Sequence, residues 1–156
     1  MLVRTKLAWG CLGALSLLSV TGCLKVRPPV TEVEGRVMLN GQPLPNAQVV
    51  FMPELERYGA EMNSVGETDG EGRFRLTCAY QQQPGACVGT HRVLVTDPPA
   101  RDEFRSQSQQ AQEAYMKYLR SLKNRPIPAA YGNVGKTPLR VEVKADQKSY
   151  EISLSR

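Results

Sequence analysis

The chain has 156 residues, room for one domain and hardly for two. Hydrophobic residues make up 41% but aromatics only 6%, so a core has to be built mainly from Val, Leu and Ile; 13 Gly and 11 Pro scattered along the chain favour short strands and turns over long helices. The formal charge of +5 includes Arg4 and Lys6 near the N-terminus, and without them 18 basic residues face 15 acidic ones. With so weak a bias, no run of five like charges and no basic stretch interleaved with aromatics, nucleic acid is not an expected partner.

Residues 1–6 carry Arg4 and Lys6 and no acid, and Leu7 to Val20 form an apolar run with Gly and Ser interspersed. That run, of about 14 residues, is too short for a ~30 Å hydrocarbon core, which needs roughly 20. A basic start, a short apolar stretch and small residues before a cut describe a secretory signal peptide over 1–22. Val20-Thr21-Gly22-Cys23 resembles the bacterial lipobox. The resemblance implies diacylglycerol on the Cys23 sulfur, cleavage before Cys23 and acylation of the freed amine, an anchor worth ~0.8 kcal/mol per buried CH₂. Leu24 stands where such proteins carry Asp for inner-membrane retention, so the outer membrane is the expected address over the inner one. Residues 23–31, with Pro28-Pro29, read as the lipidated Cys and a semi-rigid tether.

The folded domain is expected over 32–156. Glu32 to Leu39 alternates, with Val33, Gly35, Val37 and Leu39 on one side, and Asn40-Gly41 is a strong hairpin turn. Pro43-Leu44-Pro45-Asn46-Ala47 prolongs the bend into a second strand, Gln48 to Met52. Residues 54–62 read as loop and Asn63 to Thr68 as a third strand. Asp69-Gly70-Glu71-Gly72 is a tight turn before a fourth, Arg73 to Cys78. A fifth runs from Gly89 to Asp97, with His91, Val93 and Val95 on one face. Residues 101–123 lack Gly and Pro and place Phe104, Ala111, Tyr115, Tyr118 and Leu122 at helical spacing, which predicts one amphipathic helix over 102–123 with its Tyr-rich stripe docked on the sheet. Leu139 to Val143 and Tyr150 to Leu154 are the last two strands. Seven short strands with turns between them read as an antiparallel β-sandwich with one inserted helix, an all-β fold.

Cys11 leaves with the signal peptide and Cys23 takes the lipid, which leaves Cys78 and Cys87. One pair in an exported domain reads as a disulfide, and closing so short a loop is worth roughly 2–3 kcal/mol in the chain-entropy account. The alternative is a redox or metal pair; there is no CxxC spacing, and a lone His91 cannot complete a zinc site.

Val33 to Phe51, with its Pro-Leu-Pro-x-Ala motif, resembles the opening of carboxypeptidase regulatory-like, transthyretin-like domains. Thr68-Asp-Gly-Glu-Gly-Arg-Phe-Arg-Leu76 is similar to their Thr-Asp-x-x-Gly turn leading into an aromatic strand. Gly85 to Val95 is similar to their Gly-x-Tyr-x-Val strand, with His91 at the aromatic position. Ile127 to Asn133 and Thr137 to Val143 resemble the C-terminal part of small planctomycete lipoproteins. The resemblance spans about residues 32–155 and implies a prealbumin-like Greek-key sandwich. Its motifs are turn chemistry: Gly41, Gly70 and Gly72 are expected at positive φ, Pro43 and Pro45 stiffen the bend, and Asp69 closes the hairpin.

No catalytic constellation assembles from these residues. Around the single His there is no Ser-His-Asp triad pattern, one His cannot make a two-His metal site, the purine-catabolic hydrolases of related fold end in a Tyr-Arg-Gly-Ser tail that Ser-Leu-Ser-Arg does not match, and Asp69 with Glu71 offers too few oxygens for calcium. The expectation is a non-catalytic envelope lipoprotein without cofactor or metal. It would be held to the bilayer by Cys23 and engage an envelope protein or glycan. The rival readings are a cryptic hydrolase or carbohydrate-processing accessory, and a solute-binding component.

Overall fold

The structure is a computed structural model describing residues 27–56, 58–106 and 108–156; the signal segment and Cys23 lie outside the described residues. Among the described residues, twelve strand segments in three sheets surround one core. After β1 (Val30–Thr31), β2 (Glu34–Leu39) runs into a two-residue turn in which Asn40 (φ 52°) and Gly41 (φ 74°) both take positive φ, the geometry of a type I′ hairpin. β3 (Gln42–Pro43) folds back on Met38 and Leu39. β4 (Gln48–Pro53), β5 (Ser64–Glu67), β6 (Arg73–Arg75), β7 (Thr77–Cys78), β8 (Gln83–Pro84), β9 (Ala86–Cys87) and β10 (Gly89–Thr96) follow. Beyond them lie α1 (Gln109–Ser121), β11 (Arg140–Val143) and β12 (Ser149–Leu154). The large sheet has the order β11-β10-β4-β5-β7-β8; the second is β12-β2-β3, with β6 also on β2; β1 and β9 form a short ribbon.

The alternation read in the sequence places the core. Val33, Val37 and Leu39 meet Val49, Phe51, Val93 and Val95 across the sandwich, and Tyr150, Ile152 and Leu154 complete the second sheet. The Phe51 and Phe74 rings cross at 6.1 Å and 51° between the layers. Gly35 faces inward where a Cβ would come 2.7 Å from the Phe74 ring, so only glycine lets that ring lie over β2.

Two features of the seven-strand antiparallel expectation need correction. The strand expected over 73–78 changes sheets at Leu76: β6 pairs with β2, whereas β7 pairs with β5. Leu76 itself turns into the core, its N–H donating to the Val33 carbonyl and its own carbonyl accepting from Gly85. The last strand, β12, lies parallel to β2 over six residue pairs, Ser149↔Glu34 to Leu154↔Leu39. The physical reason is the crossing: β11 and β12 belong to different sheets, so the Lys144–Lys148 turn reverses the chain while carrying it across, and it arrives running the same way as β2.

The helix also differs from expectation. Asp102–Phe104 is a single 3-10 turn, and α1 starts only at Gln109, capped by the Ser108 hydroxyl, which accepts from the Ala111 N–H at 3.2 Å. No α1 residue is fully buried, so the Tyr stripe does not dock on a sheet. Phe104, Tyr115 and Tyr118 instead stack on one another, with centroids 5.7, 5.7 and 6.5 Å apart, and Tyr115 donates to the Pro98 carbonyl at 2.7 Å. The excursion leaves from the end of β10 past Pro98, and three of its own rings satisfy one another.

Strand directions give the sandwich two ends. β2, β10 and β12 all start at the end that holds β1 and β9, called here the tether end. All three finish at the opposite, helix end, where Asn40–Pro45, Asp97 and the excursion around α1 lie. There the chain after α1 latches onto the first hairpin. Asn124 Nδ2 lies 3.2, 3.2 and 3.1 Å from the carbonyls of Leu39, Gln42 and Pro43. Arg125 pairs with Asp97 and donates to the Pro45 and Asn46 carbonyls at 3.1 and 2.8 Å.

Candidate functional site

The inner face of β10 carries His91, fully buried beside Phe51, with ring centroids 5.7 Å apart. Its Nδ1 lies 3.0 Å from the Gly89 carbonyl and donates to it, which leaves Nε2 as an acceptor 3.4 Å from Cys87 Sγ. The thiol proton therefore points at the imidazole. Burial lowers the His91 pKa against the opposing pull of the Gly89 carbonyl and Glu54, while burial and neighbouring Cys78 push the Cys87 thiol up to about 11. Both partners are held neutral, the reverse of the thiolate–imidazolium pair that makes a nucleophile.

Cys78 is buried on β7, with Sγ 3.8 Å from the Met62 carbonyl. Ser64, its register partner on β5, buries a hydroxyl that finds no hydrogen-bond partner among the described residues. Cys78 and Cys87 are both buried, and no bond joins their sulfurs. No group of three or more His, Cys, Asp or Glu side chains among the described residues is arranged to hold a metal.

The turn motifs acquire individual roles. The Thr68 hydroxyl donates to the Leu44 carbonyl at 2.7 Å and accepts from the Ala47 N–H at 2.8 Å, pinning the Pro-Leu-Pro-x-Ala loop. Asp69 accepts from the N–H groups of Glu71 and Arg73 at 3.0 and 2.8 Å and from Arg73 Nε at 2.9 Å. The Arg73 contacts hold its carboxyl below the usual range. The Asp69 and Glu71 carboxylates both face Arg73, so their oxygens are already engaged. Gly41 and Gly72 take positive φ (74° each), as expected, but Gly70 does not: the turn places its left-handed residue at Gly72, where a Cβ would sit 2.6 Å from the Val37 carbonyl. Pro43 lies in β3 opposite Met38, and Pro45 leads into Asn46 at φ 51°.

An open groove of roughly 840 Å³ runs over β2, β6 and the start of β12, where Gly35, Phe74 and Tyr150 lie between charged neighbours. Its rim interleaves Glu34, Glu67, Asp69 and Glu151 with Arg36, Arg73 and Arg75. The rim charges neutralise one another in exposed pairs such as Arg75–Glu34 at 3.3 Å. No single charge or acid–base pair converges there, and the arrangement offers a polar contact surface.

At the tether end, two residues of the stretch read as tether are part of the fold. Val30 and Thr31 pair with Cys87 and Ala86, and the Val88 N–H donates to the Pro29 carbonyl at 2.8 Å. The Arg27 guanidinium lies 4.5 Å over the Tyr80 ring and donates to its hydroxyl at 3.1 Å. Neither this clamp nor the Asn124–Arg125 latch has a periodic signature; both depend on residues more than 50 positions apart. Buried Met62 was likewise hidden in a stretch that reads as loop.

Fold and site together define a β-sandwich domain with a neutral, enclosed thiol–imidazole pair and a polar outer face. Comparison with family models, with curated proteins and with solved structures finds no match for the chain.

Proposed function

We propose that the chain is a lipid-anchored envelope lipoprotein. Its sandwich, of the transthyretin-like Greek-key kind that the motifs resemble, serves as a non-catalytic module contacting an envelope protein or glycan. The observation that carries the reading is the sequence Val20-Thr21-Gly22-Cys23 after a basic, then apolar, start, placed a few residues ahead of the clamped strand β1. A lipid on Cys23 supplies the attachment, the role the lipobox-like motif implies. The enclosed, uncharged Cys87–His91 pair favours a binding role over nucleophilic chemistry. Oxidation of Cys78 and Cys87 to a cystine in an oxidising compartment, with two hydrogens lost to a disulfide-forming oxidant, removes the thiol beside His91 altogether and points the same way.

Cys23→Ala is the direct test. The natural product should enter the detergent phase on phase separation and carry acyl mass on its N-terminal peptide, and the variant should stay in the aqueous phase. A variant that partitions like the parent, or a natural product with an unmodified Cys23, would refute the anchor.

A further inference from the structure

Building on that anchorage, we infer that the protein stands on the membrane end-on, with the Tyr80 turn against the lipid headgroups and α1 on the side facing away. Arg27 is four residues on from Cys23, so with Cys23 in the bilayer the chain lets Arg27 lie at most roughly 14 Å from it. A flexible tether would leave the orientation free, but here the tether is not free beyond that point. Arg27 is held on Tyr80, Pro29 accepts from Val88, and Val30–Thr31 are zipped to β9.

Tyr80 follows Cys78 at the tether end, because β7 pairs Cys78 with Ser64 and β5 pairs Ser64 with Phe51, late in β4. α1 lies at the other end. Tyr115 reaches the Pro98 carbonyl beyond β10, and Asn124 reaches Leu39 at the close of β2. The six residues of β2 alone put roughly 20 Å between the two ends.

Exposed charge at the tether end is mixed: Lys148 sits 2.8 Å from Glu32, and Lys144 lies beside Glu142. The clamp therefore sets the orientation, and attraction to anionic lipid does not. The lipid-facing surface is the Arg27–Tyr80 turn, and the occupant is the headgroup layer of the anchoring bilayer itself.

The chain's one tryptophan is Trp9, inside the cleaved segment, so the mature protein is free of it. Two single-tryptophan reporters can then be read cleanly: Tyr80→Trp, which keeps an aromatic face under Arg27, and Gln110→Trp on the exposed side of α1. Each is purified from membranes as the full lipoprotein, its mass is measured, and it is reconstituted in phosphatidylcholine vesicles bearing a headgroup nitroxide quencher. The expected result is an acylated protein in which Tyr80→Trp loses about half its emission while Gln110→Trp is unaffected, with the same contrast when phosphatidylglycerol is added. Acylated protein quenched equally at both positions, or more strongly at Gln110→Trp, overturns the orientation and leaves the anchor standing. A product without acyl mass overturns the anchor and the orientation with it.

Discussion

His91 and Cys87 show how burial turns two reactive side chains into structural ones, and the arrangement has a pH signature. Unfolding releases an imidazole of ordinary value 6.5 and a thiol of ordinary value 9.0. Folded His91 titrates lower, so below about pH 6.5 the unfolded chain binds a proton that the folded chain refuses, and stability falls as the pH drops. Folded Cys87 titrates higher, at about 11, so stability is full below 9.0 and is lost as the pH rises from 9.0 to about 11. The two-unit gap corresponds to about 2–3 kcal/mol. The reduced protein should hold a plateau in urea midpoint between about pH 6.5 and 9. His91→Phe should flatten the acid limb relative to the parent and Cys87→Ala the alkaline limb; identical profiles for parent and variants would contradict the pairing. Oxidation to the cystine should remove the alkaline limb and lower the intact mass by about 2 Da, the two thiol hydrogens. The alternation of β10 made the inward direction of His91 legible in the sequence. Its partner was not, because a 3.4 Å contact between β9 and β10 depends on how a Pro-Gly loop folds back.

Among the elements, the strands were the legible part, since alternating Val, Leu and Ile against charge leaves one way to bury a sheet face. What alternation cannot show is the partner of each strand. Nothing in Arg73 to Cys78 marks Leu76 as a corner, and nothing local places β12 beside β2. The helix illustrates the opposite failure. Its period is real, yet a stripe of Tyr and Phe is equally content stacked on itself, and tertiary geometry sends it past the sheet. The excursion is therefore held by its latch rather than by its face. Arg125 is nearly enclosed, with only 10% of its side chain exposed, and serves Asp97 and two carbonyls of the Pro45–Asn46 bend. Arg125→Ala should destabilise the whole domain by roughly 2–4 kcal/mol, because the carbonyls and a part-buried carboxylate lose their partner. Phe104→Ala should behave differently, reducing helical circular dichroism while leaving the urea midpoint of the sandwich almost unchanged. Equal loss of midpoint in the two variants would mean that α1 belongs to the core after all.

For the molecule as a whole, the end of the chain closes what the beginning opens. β2 sits between β12 on one side and β3 and β6 on the other, and β12 supplies Tyr150, Ile152 and Leu154 to the core. The segment nearest the proposed anchor passes through the Arg27–Tyr80 clamp and the β1–β9 ribbon and then enters a strand locked by the C-terminus, so behind those first contacts a pull on the tether meets the β12-β2-β3 sheet. Ile152, only 3% exposed, should then cost roughly 2–5 kcal/mol when truncated to Ala, as a buried residue with no room to collapse does. Native-state hydrogen exchange separates this from a loosely added flap. Amides of β2 and β12 should exchange only through global unfolding, with the same dependence on urea as the midpoint. Amides of α1, where no side chain is fully buried, should exchange through local opening with little urea dependence. If β12 exchanged as readily as α1, the parallel closure would be an accessory contact and β2 would be held by β3 and β6 alone.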